Sequence, residues 1–247
     1  MPCTDCDCGH SVCCERELGL IRCVMFDLGN VLVLYNTPLF YSRLESRKRN
    51  ETPVREILDG KYRSAFVDFE LGKISAGEFF DRTRYTLQLD MSFEEFMSAF
   101  IENGIMTPDP VMLELKRGLK ERGMKLILVT NNNPAHTEFI RRQYPEVMYG
   151  FDYEAVSYEM HMRKPDDPEI FIRPMVSLGL KAENCLFIDD NKQNVTAFRN
   201  LGGLGYHYNV RDRDDHLRIS VDSVIRERRH FIAMCKNLGL INGWPEI

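Results

Sequence analysis

The sequence predicts an α/β fold: a parallel sheet covered by helices on both faces, interrupted early by an inserted helical lobe. Two observations carry this. Short, wholly apolar runs rich in branched and aromatic residues alternate with longer segments of helical character. Between the first and second of these runs lies a stretch, 38–106, with no strand-like run at all. Strands alternating with helices of this length pack as a parallel sheet between helical layers.

The first strand is expected at Ile21 to Phe26 and the second at Leu126 to Val129. Ala155 to Tyr158, Cys185 to Ile188 and a short Gly205 to Tyr208 follow. Cys23 and Cys185 read as strand core, where free cysteine usually sits. Asp109-Pro110 opens a helix running to about Arg122 and stopped by Gly123, with proline in the first turn and glycine beyond the last. Asn133-Pro134 opens another, and Asp167-Pro168 a third that carries Ile170, Phe171, Met175 and Val176. Within the insertion, Phe66, Phe69, Leu71, Phe79, Phe80, Phe93, Phe96, Met97 and Phe100 recur at helical spacing and read as core rather than pocket. Ser75 and Glu78 form a capping box after the Gly72-Lys73 turn. Such a lobe over the carboxyl edge of the sheet can close on a ligand and exclude water. After the last strand, Asp214 to Leu238 reads as an amphipathic helix with Leu217, Val221, Val224, Phe231 and Cys235 towards one face. Its Arg226, Arg228 and Arg229 read as a solvated face, with a partner surface as the alternative.

Composition narrows the class. The 247 residues are 44% apolar with a net charge of -5, which argues against nucleic acid or an anionic membrane as partner. No apolar run approaches the ~20 residues of a membrane span, and no basic-then-apolar start marks a secretory signal. A cytoplasmic protein is the default expectation. Cys3, Cys6, Cys8, Cys13 and Cys14, with His10 among them, crowd a segment, 1–20, that lacks apolar content of its own. It is read either as a mobile polar tail or as a thiophilic metal or redox segment.

Four polar clusters fall at or just beyond the carboxyl ends of strands: Asp27, Thr130-Asn131, Lys164 and Asp189-Asp190. Open α/β sheets place reacting groups there. Each cluster alone has a turn or capping explanation, but their joint occurrence in this order does not. Phosphoryl transfer asks for such a set. Asp27 can serve as a carboxylate nucleophile, splitting hydrolysis into two displacements through an acyl phosphate. Facing carboxylates repel an incoming phosphate, so a cation must sit between them, and Mg²⁺ suits all-oxygen ligands. Lys164 adds a fixed positive charge, while the Thr130 hydroxyl and the Asn131 backbone N–H offer hydrogen bonds to phosphoryl oxygens.

The segments Phe26-Asp27-Leu28-Gly29-Asn30-Val31-Leu32, Val129-Thr130-Asn131, Arg163-Lys164-Pro165 and Phe187-Ile188-Asp189-Asp190-Asn191 resemble the motifs of the haloacid dehalogenase-like hydrolase superfamily. The resemblance extends from about Cys23 to Tyr208. It implies a Rossmann-like core (21–37 and 107–247) with a helical cap (38–106). It further implies Asp27 as nucleophile, Thr130 and Lys164 as phosphate ligands, and Asp189 with Asp190 as the magnesium-holding acids. The wording is most similar to the branch of sugar-phosphate phosphatases, notably an α-D-glucose-1-phosphate phosphatase, which implies a small phosphorylated metabolite as substrate. The phosphatase domain of soluble epoxide hydrolases is a more distant likeness.

One position departs from the family pattern. Most phosphatases of this superfamily carry an acid two residues after the nucleophile, and here that residue is Gly29. Its backbone carbonyl can still bind the metal, alongside Asp27, Asp189 and Asp190, but no side-chain acid remains. General acid–base help is worth ~10²–10⁴ in rate. Either the substrate has a good leaving group, an anomeric or acyl oxygen, or another residue supplies the proton, with Tyr35, Asn36 and Tyr41 in reach. Two rival readings are a catalytically inactive binding or regulatory protein that kept the fold, and a dehalogenase. A dehalogenase would have little use for the Asp189-Asp190 pair.

Overall fold

In the computed structural model, residues 21–60, 63–102, 105–212 and 218–243 are described. The Cys-rich segment and Leu217 lie outside them. The strands are β1 (Cys23–Phe26), β2 (Val33–Tyr35), β3 (Ile105–Pro108), β4 (Lys125–Thr130), β5 (Tyr153–Val156), β6 (Cys185–Asp189) and β7 (Leu204–His207). The inserted helices are α1 (Thr37–Glu45), α2 (Val54–Asp59), α3 (Arg63–Glu70), α4 (Ala76–Leu87) and α5 (Phe93–Glu102). Around the sheet lie α6 (Pro110–Glu121), α7 (Pro134–Gln143), α8 (Pro145–Met148), α9 (Ser157–Met160), α10 (Glu169–Ser177), α11 (Lys192–Asn200) and α12 (Val221–Asn237).

Five strands form one parallel sheet in the order β5-β4-β1-β6-β7, with β1 at the centre. The period of two sends alternate residues to opposite faces. Val24 and Phe26 join Leu126, Leu128, Leu186 and Ile188 on one face, against α6 and α12 residues such as Leu115 and Phe231. Cys23 and Met25 join Ile127, Val129, Cys185 and Phe187 on the other, against Phe171 of α10 and Phe198 of α11. Both faces are buried, so the strands read as continuous apolar runs rather than alternating ones.

The inserted helices enclose an apolar cluster of their own, in which Phe40, Phe69, Phe79, Phe96 and Phe100 are buried. The aromatics expected to be core are therefore largely core, although Phe93 is exposed. The capping box forms as expected: Ser75 Oγ accepts from the Glu78 N–H and Glu78 reaches back to the Ser75 N–H. Asp109 caps α6, accepting from the Val111 and Met112 N–H groups.

Four expectations need correcting. The insertion was expected to lack strands, yet β3 at its end pairs antiparallel with β2 and ties the two crossings of the chain together. The third sheet strand stops at Val156, and Ser157 opens α9 instead. The Ser157 hydroxyl is drawn into the seam beneath the inserted helices, 2.6 Å from the Glu70 carbonyl and 2.9 Å from that of Asn132. Residues 218–220 are not helical; α12 begins after Ser220, whose side chain accepts from the Ser223 N–H, and Val221 is exposed. Arg228 is not solvated either, because its guanidinium pairs with the fully buried Asp109 at 2.9 Å. Among the described residues, no helix is long and apolar enough to cross a membrane.

Candidate active site

The parallel ladder runs one residue past β1, since the Asp27 N–H donates to the Ile188 carbonyl at 2.9 Å. That register delivers Asp27 to the carboxyl edge beside Thr130, the last residue of β4, and Asp189, the last of β6. All three are buried, as are Asp190 and Lys164. Ligand oxygens of Asp27, Asp189 and Asp190 lie within 4.8 Å of one another. Lys164 arrives from the loop after α9, its ammonium 3.0 Å from Asp27 Oδ1, 2.7 Å from Asp189 Oδ2 and 2.6 Å from the Val129 carbonyl. The four sequence clusters therefore converge on one point.

Burial sets the electrostatics. It pushes the Asp27 carboxyl up to about 7; Lys164 opposes this, while Asp189 and Asp190 add to it. Asp189 is likewise raised by burial and held down by Lys164. Burial works against the Lys164 ammonium too, but the two carboxylates outweigh it and keep its pKa above the usual lysine range. Three carboxylates face Lys164 and Arg211, whose guanidinium donates to Asp190 Oδ2 at 2.7 Å. An all-oxygen donor set of three clustered carboxyl groups fits a hard divalent cation such as Mg²⁺, with Asp27, Asp189 and Asp190 as the residues able to hold it.

Several positioning interactions escaped the sequence reading. Asn131 spends its side chain on the Lys164 backbone, donating to its carbonyl at 2.7 Å and accepting its N–H at 2.9 Å. Asn194 donates to both Asp189 oxygens, and the Asn191 N–H donates to Oδ1. Asn30, left-handed at φ 57, accepts the Tyr35 N–H and donates to Asp190 Oδ2 at 2.8 Å. Its place directly after Gly29 in a tight turn was the available signal, although asparagine there has turn reasons enough. Arg211 offered none.

At Gly29 the structure shows what occupies the region of the missing acid. A Cβ there would lie 3.3 Å from Cε2 of Tyr35, so the tyrosine ring covers the glycine. Burial, and then the charge of Asp27, raise the Tyr35 hydroxyl well above the usual tyrosine range. Tyr35 thus faces the site. Asn36 does not, because it caps α1 by accepting from the Leu39 N–H. Tyr41 packs against the core of the inserted helices.

A parallel sheet presenting buried carboxylates and an ammonium at one edge, beneath inserted helices, defines a hydrolase-type α/β enzyme. Residues 21–202 match the model of the haloacid dehalogenase-like hydrolase family, and the chain belongs to that family. A sesquiterpene phosphatase of Aspergillus oryzae is 26% identical over 187 residues, spanning 75% of this chain and 89% of its own. The crystal structure of a family enzyme from Bacteroides thetaiotaomicron superposes with a TM-score of 0.65 at 25% identity, covering 75% of this chain and 92% of that one. A magnesium complex of the same Bacteroides enzyme superposes with a TM-score of 0.63, also at 25% identity, over 75% and 92% of the two chains.

Proposed function

We propose that the protein is a Mg²⁺-dependent phosphatase that hydrolyses a small phosphate ester, of the sugar-phosphate class, through an aspartyl-phosphate on Asp27. The observation that carries this reading is the convergence of Asp27, Asp189 and Asp190 around the buried Lys164 ammonium. Asp27 attacks phosphorus in line and the ester oxygen departs; water then attacks the phosphorus of the acyl phosphate and frees Asp27. Lys164, the Thr130 hydroxyl and the Asn131 N–H bind the phosphoryl oxygens, whose charge is the main thing the site must offset. Magnesium, when held by Asp27, Asp189, Asp190 and the Gly29 carbonyl, neutralises the facing carboxylates and the incoming phosphate. Residues 38–106 act as a cap that excludes water. With no acid at Gly29, a leaving oxygen of low basicity is favoured, as at an anomeric or acyl position.

The phosphatase among the relatives and the magnesium complex of the Bacteroides enzyme support this reading. A dehalogenase would have no use for a cation between three carboxylates. A catalytically inactive protein would have little reason to keep Asp27, Lys164 and the acid pair together. The test is phosphate release from sugar phosphates, acyl phosphates and nucleotides, with and without Mg²⁺, beside Asp27→Asn. Release that requires both metal and Asp27 supports the proposal. Silence from folded protein across the panel favours the inactive reading.

A further inference from the structure

Two buried donor atoms next to the site have no hydrogen-bond partner among the described residues: Asn132 Nδ2 and Arg163 Nε. Buried donors are almost always satisfied, so two at one place call for an explanation. Asn132 is 4% exposed, and its Oδ1 already accepts the Asn133 N–H at 2.9 Å, which fixes the amide and leaves only the NH₂ to find a partner. The Asn132 side chain interacts with the Tyr35 hydroxyl, yet its NH₂ makes no well-formed hydrogen bond among the described residues. Tyr35 in turn covers Gly29 and feels the charge of Asp27. Glu70, the last residue of α3, brings the inserted helices into the same space. Its carboxylate lies 3.4 Å from Arg163 Nη2, and its electrostatic neighbours include Lys164 and Tyr35. Arg163 also contacts Asp166 at 3.2 Å.

We propose that Tyr35, Glu70, Asn132 and Arg163 form the leaving-group subsite, and that it takes a leaving group bearing several hydroxyls, such as a sugar, rather than an isoprenoid chain. The proposal rests on the phosphatase reading and narrows it. A hydroxyl both accepts and donates. Asn132 and Arg163 supply donors, Glu70 supplies an acceptor, and Tyr35 supplies either. An isoprenoid chain would cover all four groups and satisfy none. A site built to hydrogen-bond hydroxyls can discriminate by ~10⁴ against an analogue lacking them. By this criterion the chain parts from its relative that is a sesquiterpene phosphatase.

The experiment compares kcat/KM for glucose 1-phosphate, farnesyl phosphate and acetyl phosphate in wild type, Asn132→Ala and Glu70→Gln. Acetyl phosphate has almost no leaving group to recognise and reports on phosphoryl chemistry. Wild type is expected to prefer glucose 1-phosphate to farnesyl phosphate by at least about 100-fold. Each variant is expected to lower the glucose 1-phosphate to acetyl phosphate ratio at least about tenfold, mostly through KM. Glu70→Gln keeps shape and volume, so it carries the test if Asn132→Ala loses its fold by melting temperature. An unchanged ratio in folded variants, or a wild-type preference for farnesyl phosphate, overturns the subsite while leaving the phosphatase reading intact. Failure of wild type to hydrolyse even acetyl phosphate overturns the phosphatase reading, and this proposal with it.

Discussion

Replacing Lys164 with methionine should cost more stability than any other single change at the site. The side chain is fully buried, and its ammonium touches Asp27 at 3.0 Å, Asp189 at 2.7 Å and the Val129 carbonyl at 2.6 Å. Methionine fills similar volume, so the cost is electrostatic. Two carboxylates lose their counter-charge, and at the 4.8 Å that bounds the cluster their repulsion is about 3–4 kcal/mol for an effective dielectric of ~20. Breaking a buried ion pair by removing one partner typically costs about 3–5 kcal/mol, and that is the expected loss for Lys164→Met in EDTA at pH 8. The gap should narrow towards pH 5. Without the ammonium, the folded carboxylates hold protons more tightly, so falling pH favours the variant relative to wild type. Urea unfolding followed by circular dichroism, from pH 5 to 8, measures both effects. A loss below about 1 kcal/mol at pH 8, or a gap independent of pH, would show that the Lys164 ammonium does not offset the two carboxylates.

Three further outcomes follow from the geometry. In EDTA, Asp27→Asn should match wild type near pH 4 and exceed it in stability at pH 8. The folded pKa of Asp27 is raised to about 7, so its favourable contribution is present below ~4 and lost as pH rises through 7. The difference should grow by at most about 1.4 kcal/mol per pH unit in urea unfolding, and a constant difference would contradict it. Gly29→Asp should not raise the turnover of poor leaving groups, and should destabilise by about 1–3 kcal/mol, because its Cβ would press on Tyr35 at 3.3 Å. A gain in rate without loss of stability would contradict that. Arg228→Ala should cost about 1.5–3 kcal/mol by removing the charged hydrogen bonds to buried Asp109; unchanged denaturation would show the pair to be idle.

The sequence made the sheet legible because both of its faces are buried. Val24 to Phe26, Leu126 to Val129 and Leu186 to Ile188 are apolar without interruption, and short runs of that kind have few other homes in a chain this size. The site clusters were legible for the same reason, since Asp27, Thr130 and Asp189 sit where those runs end. What escaped was set by tertiary contacts. Ser157 continues an apolar run, yet its hydroxyl is claimed by Glu70 and Asn132 across the seam. Arg228 sits among charged residues as a solvated arginine would, and only the fold brings Asp109 to it. β3 is too short to announce itself before it meets β2. Tyr35 was one of three candidates to reach the site, and the ring over Gly29 separates it from Asn36 and Tyr41.

The central claim is that Asp27 carries the phosphoryl group. The most direct measurement is to quench turnover in acid during the steady state, reduce with borohydride, and map the product by mass spectrometry. An acyl phosphate at Asp27 is reduced to homoserine at that position, and this conversion is expected only with both Mg²⁺ and a hydrolysed ester present. Steady phosphate release with Asp27 recovered unmodified would mean that water attacks phosphorus directly, and the covalent mechanism would be wrong.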